Sequence, residues 1–356
     1  MAENILSRYS VEIFTPLGSL IADLTGLASM RQMNVARNRA GSCSFTINLL
    51  KLEALSRKLN LTPQDLLAVN RNEVKIRRGT RYLFGGQICH FEVSVDAESV
   101  DIKVLGFLDL FSFRNLPIET SYVATDAGAI AWDAINVAQS VTDGNYGITQ
   151  GTIQTSVNRD RTYPIYKNVK DIIVELTEVQ NGFDMEITHD KTFNVYYPYM
   201  GFDKSSDLKF YYPGNIKKLK IATDGTKMYN RAYVRGQGFG TAQPIVTVED
   251  AIYQPYYKVR ETVLDYSDIA EEANLTLHGE EKVSLFKDNI EIPQVTIDGN
   301  KEPYVGSYWL GDRISLTVLE HAMFNYLSQN TYRIDAIDIS IDDDDVEDVT
   351  LSLSKF

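Results

Sequence analysis

Residues 208–238 read LKFYYPGNIKKLKIATDGTKMYNRAYVRGQG and contain two segments in which apolar and polar residues alternate. The first is Ile216–Ile221 and the second is Asn230–Arg235, with Asp224-Gly225 between them. Alternation with a period of two residues is typical of a strand with one buried face, and an Asp-Gly pair is typical of a hairpin turn. The segment therefore predicts a half-buried antiparallel pair around which the second part of the chain is built.

A similar arrangement lies near the N-terminus. Met30–Ala36 and Ser42–Leu49 alternate in the same way and flank the polar loop Arg37–Gly41. The two arrangements indicate two related β-units, of which the second begins near residue 205. Around the first pair we predict a closed or nearly closed small barrel with a helix on its flank. Its other predicted elements are strands at 8–15, 20–24, 73–78, 84–95 and 100–105, a helix at 51–59, and a helix start capped by Thr62.

The region between the two β-units has a different pattern. Asp126–Val141 and Asn168–Gln180 carry apolar residues at helical spacing, and Asn181-Gly182 is a signal for the end of a helix. Phe183–Thr188 and Thr192–Tyr197 then alternate as a hairpin. Two helices and a hairpin predict a small α+β domain.

The last third of the chain returns to strands after one more helix. We predict a helix at Ser267–Glu280 with Ser267 as its cap, and we expect the strand Tyr332–Ile341 to pair with residues 216–235. The other predicted strands are 283–287, 294–297, 313–319 and 346–354.

The predicted fold class is α+β and mainly β, with four domains. We place a first β-barrel domain at residues 1–115 and an α+β domain at 116–200. A second β-barrel domain takes residues 201–240 and 306–356, and a small α+β domain is inserted at 241–305.

Composition and charge describe a protein that can bury a sizeable core. The 356 residues are 44% hydrophobic, and the net charge is −13. Residues 1–115 carry 14 Lys and Arg against 11 Asp and Glu, whereas residues 201–356 carry 16 against 26. A duplex-binding protein would show a basic stripe, and none is visible. The N-terminus shows no signal-peptide pattern, no apolar run is long enough to span a membrane, and Cys43 and Cys89 form no disulfide framework.

Motifs for catalysis, cofactors and metals are missing from the sequence. The histidines at 90, 189, 278 and 321 are far apart, and Gly236, Gly238 and Gly240 do not complete a dinucleotide fingerprint. Asp342–Asp345 lacks the ligand order of a calcium loop and is interpreted as a solvated turn between two strands. We therefore predict no catalytic, cofactor-binding or metal-binding residues. Paired carboxylates for glycoside hydrolysis leave no sequence motif, so that chemistry stays open.

Three tyrosine-rich clusters could stack on sugars, fill a subunit interface or pack at strand ends. They are Tyr196-Tyr197-Pro198-Tyr199, Phe210-Tyr211-Tyr212-Pro213 and Pro255-Tyr256-Tyr257.

The arrangement resembles the baseplate or tail-tip hub proteins of tailed bacteriophages. The same fold occurs in the N-terminal part of tail-associated lysin proteins and in the hubs of contractile injection systems. An F-x-G-x-I strand, a hairpin and then G-F-x-D-L is a frequent pattern in such hubs. The stretches that carry the resemblance are FTINL at 45–49, RYLFGGQICHFEV at 81–93, VLGFLDLF at 104–111, GDRISLTV at 311–318 and YRIDAIDISIDDDDVEDVTLSL at 332–353.

The resemblance implies two tail-tube-like β-barrel domains per chain and a homotrimer that forms a pseudo-sixfold ring. Such a hub joins a sixfold tail tube or distal tail ring to a threefold tip, and it closes or continues the DNA channel. The implied partners are the distal tail protein ring, the tape-measure protein and tail-tip or fibre proteins, with no membrane and no specific nucleic-acid binding. The implied location is the virion, in the tail tip or baseplate, after assembly in the host cytoplasm.

Three hypotheses for function follow. The first is a structural tail hub that takes part in genome ejection and is not an enzyme. The second is a tail module that binds cell-wall glycans through the tyrosine clusters, and the third is a tail-associated cell-wall hydrolase. The chain ends with the predicted barrel strand, from which we expect no enzymatic tail. For the hub we also expect five arginines to point outward or toward a partner ring, not into a bore: Arg37, Arg39, Arg77, Arg78 and Arg81.

Overall fold

The structure, a computed structural model, describes residues 9–267, 269–288, 290–319, 327, 330–342, 344 and 346–355. Strands make up 44% of it and helices 20%, so the prediction of a mainly β chain is confirmed. Residues 1–8, His321, Asp343 and Asp345, on which parts of the sequence predictions rested, lie outside the described residues.

Twenty-one strands and six helices are labelled here in chain order. The strands are β1 (Tyr9–Phe14), β2 (Leu20–Asp23), β3 (Ala28–Ala36), β4 (Ser42–Asn48), β5 (Glu73–Arg78), β6 (Arg81–Ser94), β7 (Ser99–Gly106), β8 (Thr120–Asp126), β9 (Thr149–Ile153), β10 (Asn158–Tyr163), β11 (Asp184–Ile187), β12 (Thr192–Tyr196), β13 (Lys209–Tyr212), β14 (Ile216–Asp224), β15 (Arg231–Arg235), β16 (Ile245–Glu249), β17 (Glu261–Asp265), β18 (Ile290–Asp298), β19 (Arg313–Val318), β20 (Thr331–Ile341) and β21 (Glu347–Lys355). The helices are α1 (Leu49–Leu59), α2 (Pro63–Leu66), α3 (Ala127–Gln139), α4 (Val169–Thr177), α5 (Gln254–Tyr257) and α6 (Glu272–Phe286), with 3₁₀ turns at Phe107–Phe113 and Gly240–Ala242.

Thirteen strands form one sheet, called the main sheet below. Its hydrogen-bonded order is β14-β18-β21-β20-β3-β4-β7-β6-β5-β1-β2, and β19 and β13 extend from β20 off this path. Both halves of the chain therefore contribute to a single sheet, and they meet at the antiparallel pair β3–β20. This strand order has two ends, at β14 and β2, so the described residues show an open sheet and no closed barrel.

Strand β20 changes partner along one of its edges. Thr331–Arg333 pair with β19, whereas Ala336–Ser340 pair with β3 of the first half. The other edge pairs with β21, with a register shift between Ile334 and Ala336. We call this position, centred on Asp335, the fork of the main sheet.

The predicted hairpin at residues 216–235 is wrong. Strand β14 pairs with β18 at an edge of the main sheet, whereas β15 is the central strand of a separate three-stranded sheet with β16 and β17. The second segment alternates because Ala232 and Val234 are buried in a small separate core with Leu275. The expected partner of Tyr332–Ile341 is therefore wrong too, since β20 pairs with β21, β19 and β3.

The predictions for the first half are confirmed in pairing and in capping. Strands β3 and β4 are antiparallel neighbours, and Met33, Phe45 and Ile47 lie buried on their inner faces. Alternation of apolar and polar residues produces this one-sided burial, since successive side chains of a strand point to opposite faces. Thr62 and Asp65 form a capping box at the start of α2.

The α+β unit, residues 107–197, has its own hydrophobic core. Helices α3 and α4 begin at Asp126 and Asn168, whose side chains accept hydrogen bonds from backbone N–H groups of the first turn. Such side chains stabilise a helix start because those N–H groups have no partner within the helix. The hairpin β11–β12 follows α4, as predicted.

The insert, residues 225–288, contains β15, β16, β17 and α6 around a third core. The predicted helix at Ser267–Glu280 is wrong in both bounds, and the predicted strand at Val283–Lys287 is wrong in type, because α6 runs from Glu272 to Phe286. Gly279, next to the predicted end of the helix, lies in the middle of α6. An added Cβ there would lie 2.7 Å from a side-chain carbon of Val248, so glycine lets the helix pack closely on the sheet.

Candidate functional site: the junction at the fork of the main sheet

Asp184 is the centre of the junction between the two halves of the main sheet and the α+β unit. Its carboxylate accepts hydrogen bonds from Arg37 Nη1 at 2.5 Å and from Asn38 Nδ2 at 2.9 Å. The backbone N–H of Met200 donates to its second oxygen at 3.0 Å, and Arg333 Nη1 lies 3.6 Å from the same oxygen. Both oxygens are thus occupied in a residue that is 3% exposed. A buried carboxylate is tolerated because its charge and its lone pairs are matched.

Asp335, at the fork itself, completes this charge cluster. It accepts a hydrogen bond from Arg37 Nε at 3.1 Å and lies 3.6 Å from Arg333 Nε. Burial acts to lower the pKa of Arg37. The carboxylates of Asp184 and Asp335 together outweigh this effect, so the pKa of Arg37 is raised. Two arginines and two aspartates from three parts of the chain therefore hold the fork closed.

Glu347 forms a second buried ion pair between the halves, with Arg78 of β5. Tyr9 donates its hydroxyl to Glu347 at 3.0 Å, and Arg78 also donates to the carbonyl of Gly299 at 2.9 Å. Burial and the nearby Glu347 charge raise the pKa of Tyr9 well above its usual value. The first strand of the chain is thereby fixed to the last.

Lys191 attaches the α+β unit to the first half. Its ammonium forms an ion pair with the buried Glu73 of β5 and donates to the carbonyls of Pro16 and Tyr146, each at 2.9 Å. Burial raises the pKa of Glu73, although Lys191 opposes that shift. The ammonium has three donors, and all three are used.

A cleft of about 590 Å³ opens beside the fork, where the three parts meet. Rings line much of it: Tyr82 and His189 stack at 4.3 Å between ring centroids, and the Arg81 guanidinium lies 5.4 Å from the Trp309 ring. Burial lowers the pKa of His189. Other polar or aromatic residues of the lining include Arg39, Gln154, Glu186, Tyr196, Tyr199, Phe202, Lys204 and Asp312.

One of the three tyrosine-rich clusters lies at this cleft. Tyr196 donates to Glu186 at 2.5 Å, and Tyr199 accepts from Arg313 at 3.0 Å. The second cluster lies at the end of β13, and the third lies in the insert, where Tyr256 is 80% exposed. The clusters are therefore not brought together into one aromatic surface.

The five arginines singled out in the sequence contact other parts of the same chain. The expectation that they point outward is wrong for Arg37 and Arg78, whose side chains are 24% and 11% exposed. Arg39 pairs with Glu178 at 2.5 Å, Arg77 pairs with Glu12 at 3.2 Å, and Arg81 donates to the carbonyl of Gly306. Four of the five therefore contact later parts of the chain, whereas Arg77 pairs within the first half.

Sequence reasoning missed Asp184 and Glu347 as centres of the junction. Their partners are distant in the chain, with 147 positions between Arg37 and Asp184 and 338 between Tyr9 and Glu347. One signal was available at Asp184, an acidic residue at the start of a strand between the apolar residues Phe183 and Met185, whereas Glu347 is followed by Asp348 and offered no such signal. The residue pattern within a strand does not indicate which distant residue its acidic side chain will contact.

Within the described ranges, no group of three or more His, Cys, Asp or Glu side chains could hold a metal ion. In the same part of the chain, no helix is long and apolar enough to cross a membrane. Among the glycines of the GxGxG segment, Gly238 and Gly240 have left-handed backbone angles of +120° and +63°. Glycine adopts such angles at little cost, so the segment can form a loop at this position.

Solved structures share this fold over nearly the whole chain. The tail protein from Neisseria meningitidis MC58 is 13% identical, with a TM-score of 0.66 over 98% of this chain and 96% of that chain. The 43 kDa tail protein of prophage MuSo2 from Shewanella oneidensis is 12% identical, with a TM-score of 0.62 over 97% and 98%.

A third similar structure comes from a secretion system. It is an E. coli component of the type VI secretion system, described as structurally similar to the bacteriophage T4 tail proteins gp27 and gp5. It is 8% identical, with a TM-score of 0.51 over 92% of this chain and 74% of that chain. No family model matches the sequence, and no curated protein matches it significantly. The predicted resemblance to phage tail and hub proteins is thus confirmed as a shared fold.

Proposed function

We propose that the chain is a structural component of a phage tail, the hub of the tail tip or baseplate. The observation that carries this proposal is the end-to-end likeness to tail proteins, which covers 98% of this chain and 96% of the Neisseria protein. A likeness over the whole length involves the main sheet, the α+β unit and the insert together. It therefore supports a role that uses the complete architecture and not one module of it.

The junction supports a mechanical role, in which the chain transmits force. Buried ion pairs at Asp184 and Glu347 connect strands from both ends of the chain. Breaking such a pair leaves an uncompensated buried charge, so the two halves separate only at high cost. A hub that transmits force between a tube and a tip needs two halves with a fixed relative position.

The hub we propose is a homotrimer of chains with two tail-tube-like domains each. We retain the four-domain division and move one boundary: strands β15 and β16 pair across residue 240, so the inserted domain should begin before Arg231. In the described part of the chain, β14, β2 and β13 are each paired along one edge only, and such edges support assembly because unpaired edges favour contact with another chain. The trimer would join a sixfold tube or distal tail ring to a threefold tip.

The proposed partners are the distal tail ring, the tape-measure protein and tip or fibre proteins. The proposed location is the virion, after assembly in the host cytoplasm, and the ring would close or continue a channel for DNA. We expect no specific binding to duplex DNA, since the net charge of −13 opposes phosphate contacts.

Light scattering of the purified chain tests the trimer. The chain mass is 40.2 kDa, so a trimer should give about 120 kDa. A monomer at micromolar concentration that also fails to assemble with its distal tail ring would contradict the hub proposal. Electron microscopy of the virion with a labelled antibody should place the chain at the tail tip.

A second candidate function, glycan binding, is favoured by the cleft beside the fork. Aromatic rings and hydrogen-bonding side chains such as Tyr82, Glu186 and Trp309 share its lining, a combination typical of small-molecule sites. Sedimentation with host cell walls, compared between the wild type and Trp309→Ala, tests it. Release of reducing sugar or peptides from cell walls above a buffer control would support the hydrolase alternative instead. We expect no such release.

A further inference from the structure

The insert is attached to the main sheet at one narrow point. The chain leaves the sheet after Asp224 and returns at Ile290, and these two residues are register partners in β14 and β18. Just beyond, the backbone N–H of Tyr229 donates to the carbonyl of Phe286 at 3.0 Å, and the two rings stack at 5.2 Å. The outgoing and returning segments thus lie side by side. A unit attached in this way can rotate about one pivot without breaking a strand.

The core of the insert is separate from the core of the α+β unit against which it lies. Polar contacts between described residues join the two: Lys282 pairs with Glu178 at 2.8 Å, Asn274 Nδ2 donates to the carbonyl of Asp160 at 3.1 Å, and Arg161 contacts His278. Polar contacts lose less than an apolar core does when water replaces them. The contact between the insert and the α+β unit is therefore of a kind that can open and close.

His278 is the buried centre of this contact. It is 3% exposed, and Arg161 Nη2 lies 3.0 Å from its Nε2. A guanidinium can only donate, so Nε2 must accept, and the imidazole must be neutral. The tilted ring of Tyr266, 4.4 Å away between centroids, covers another side of the imidazole.

The charges that face His278 oppose its protonation. Arg159 and Arg161 on β10 and Lys282 on α6 are positive, and Glu178 after α4 is the negative group. Arg159 is 3% exposed, and its guanidinium donates to the carbonyl of Gln180. Burial, and after it these three cations, lower the pKa of His278 to about 3. A protonated His278 would add a further buried positive charge and would lose its hydrogen bond from Arg161.

We propose that the insert is a hinged unit that closes on the α+β unit only while His278 is neutral, so that mild acid opens it. When the insert is open, His278 faces water and binds a proton near the ordinary histidine value of about 6.5. Closing must then release that proton. The closed form therefore keeps its full stability above pH 6.5 and loses it progressively as the pH falls from about 6.5 toward about 3.

Spin-label distances in the full-length chain at pH 7 and pH 5 test this inference, because a hinged insert moves away from the α+β unit while the hydrogen bonds within α6 stay intact. One label is placed at Asp171→Cys on α4 and one at Glu280→Cys on α6, both exposed positions, with Cys43 and Cys89 replaced by Ser. For one linked proton, the ratio of the long-distance to the short-distance population should rise on the order of 20-fold between pH 7 and pH 5. His278→Gln keeps an acceptor for Arg161 but cannot titrate, and it should abolish the rise. The matched control is His90→Gln, at an exposed position of β6, which should leave the rise as in the wild type.

Three results would overturn the inference. They are equal distance distributions at both pH values, an unchanged rise in His278→Gln, and a rise of hydrogen exchange in β20 and β21 that accompanies the change in distance. An independent measurement covers the case in which that variant does not fold. The His278 imidazole of the wild type, followed by NMR, should stay neutral while the short distance persists, and protonation with the short distance intact would refute the hinge.

Discussion

The junction at the fork and the contact beneath the insert differ in how they treat buried charge. At the fork, Asp184 is matched by Arg37 and Arg333, and the surrounding apolar core continues from one half of the main sheet to the other. Beneath the insert, Arg159 and Arg161 are buried with carbonyl and imidazole partners, and the cores on the two sides are separate. The same residue types can therefore hold two parts of a chain firmly together or leave them able to separate. The difference lies in whether the charges find their opposites and whether a shared core surrounds them.

The largest effect should come from removing the centre of the fork. Asp184→Ala removes one of the two carboxylates that neutralise Arg37 and Arg333 and leaves Asp335 alone between two cations, which costs about 3–5 kcal/mol in the free energy of unfolding. Urea unfolding followed by circular dichroism measures it. If the variant unfolds with the midpoint of the wild type, the fork is not the lock that we describe.

Truncating a core side chain of the insert should have a nearly equal effect on stability, but the effect should be confined to the insert. Leu275 is fully buried in the insert, and Leu275→Ala should cost about 2–5 kcal/mol. Because the insert has a separate core, hydrogen exchange should rise in α6 while the main sheet keeps its protection.

Leu351→Ala, equally buried in β21, is the control for this variant and should weaken the main sheet as a whole. If Leu275→Ala raises exchange in β20 by as much as Leu351→Ala does, the two regions form one cooperative unit.

A smaller effect is expected at the second ion pair. Tyr9→Phe removes the hydroxyl that donates to Glu347, a hydrogen bond to a charged group that contributes about 1.5–3 kcal/mol. Since the folded pKa of Tyr9 is raised, the wild type should keep this contribution below pH 10 and lose it as the pH rises beyond 10. Thermal unfolding at pH 8 and pH 10.5 should show the two proteins converging.

The smallest effect should come from an exposed ion pair in the insert. Asp265 accepts two hydrogen bonds from Arg235, at 2.6 and 2.7 Å, on the outer face of the three-stranded sheet. Water and salt screen such a pair, so Asp265→Asn should leave the unfolding midpoint within experimental error. A clear shift in that midpoint would mean that geometry alone, without burial, makes an ion pair important in this protein.

Local patterns predicted most strands and three helix starts, at Thr62, Asp126 and Asn168, but not the pairing that builds the main sheet. The alternation in residues 30–49 identified β3 and β4 because their turn is short. The same signal at residues 216–235 was misleading, since β14 and β15 are adjacent in the chain and bury their apolar faces in different cores. Alternation indicates that one face of a strand is buried, but it does not indicate which other element packs against that face.

The charge cluster at the fork could not be predicted from the sequence for a related reason. Arg37 was noticed as a loop arginine, but its partner Asp335 is 298 positions away. Ion pairs carry no sequence period, in contrast to apolar faces. The absence of catalytic motifs, however, could be read directly from residue types and spacing.

The pairing of β3 with β20 has a consequence for the order in which the protein forms during synthesis. A ribosome that adds about 5–20 residues per second needs roughly 15–60 s to pass from the first of these strands to the second. During that time the nascent chain exposes an edge of β3 that can pair with another chain. Polysomes that carry many copies of this message would bring such edges close together. The emergence of β20 from the ribosome would thus end the period in which the newly made chain is most prone to aggregate.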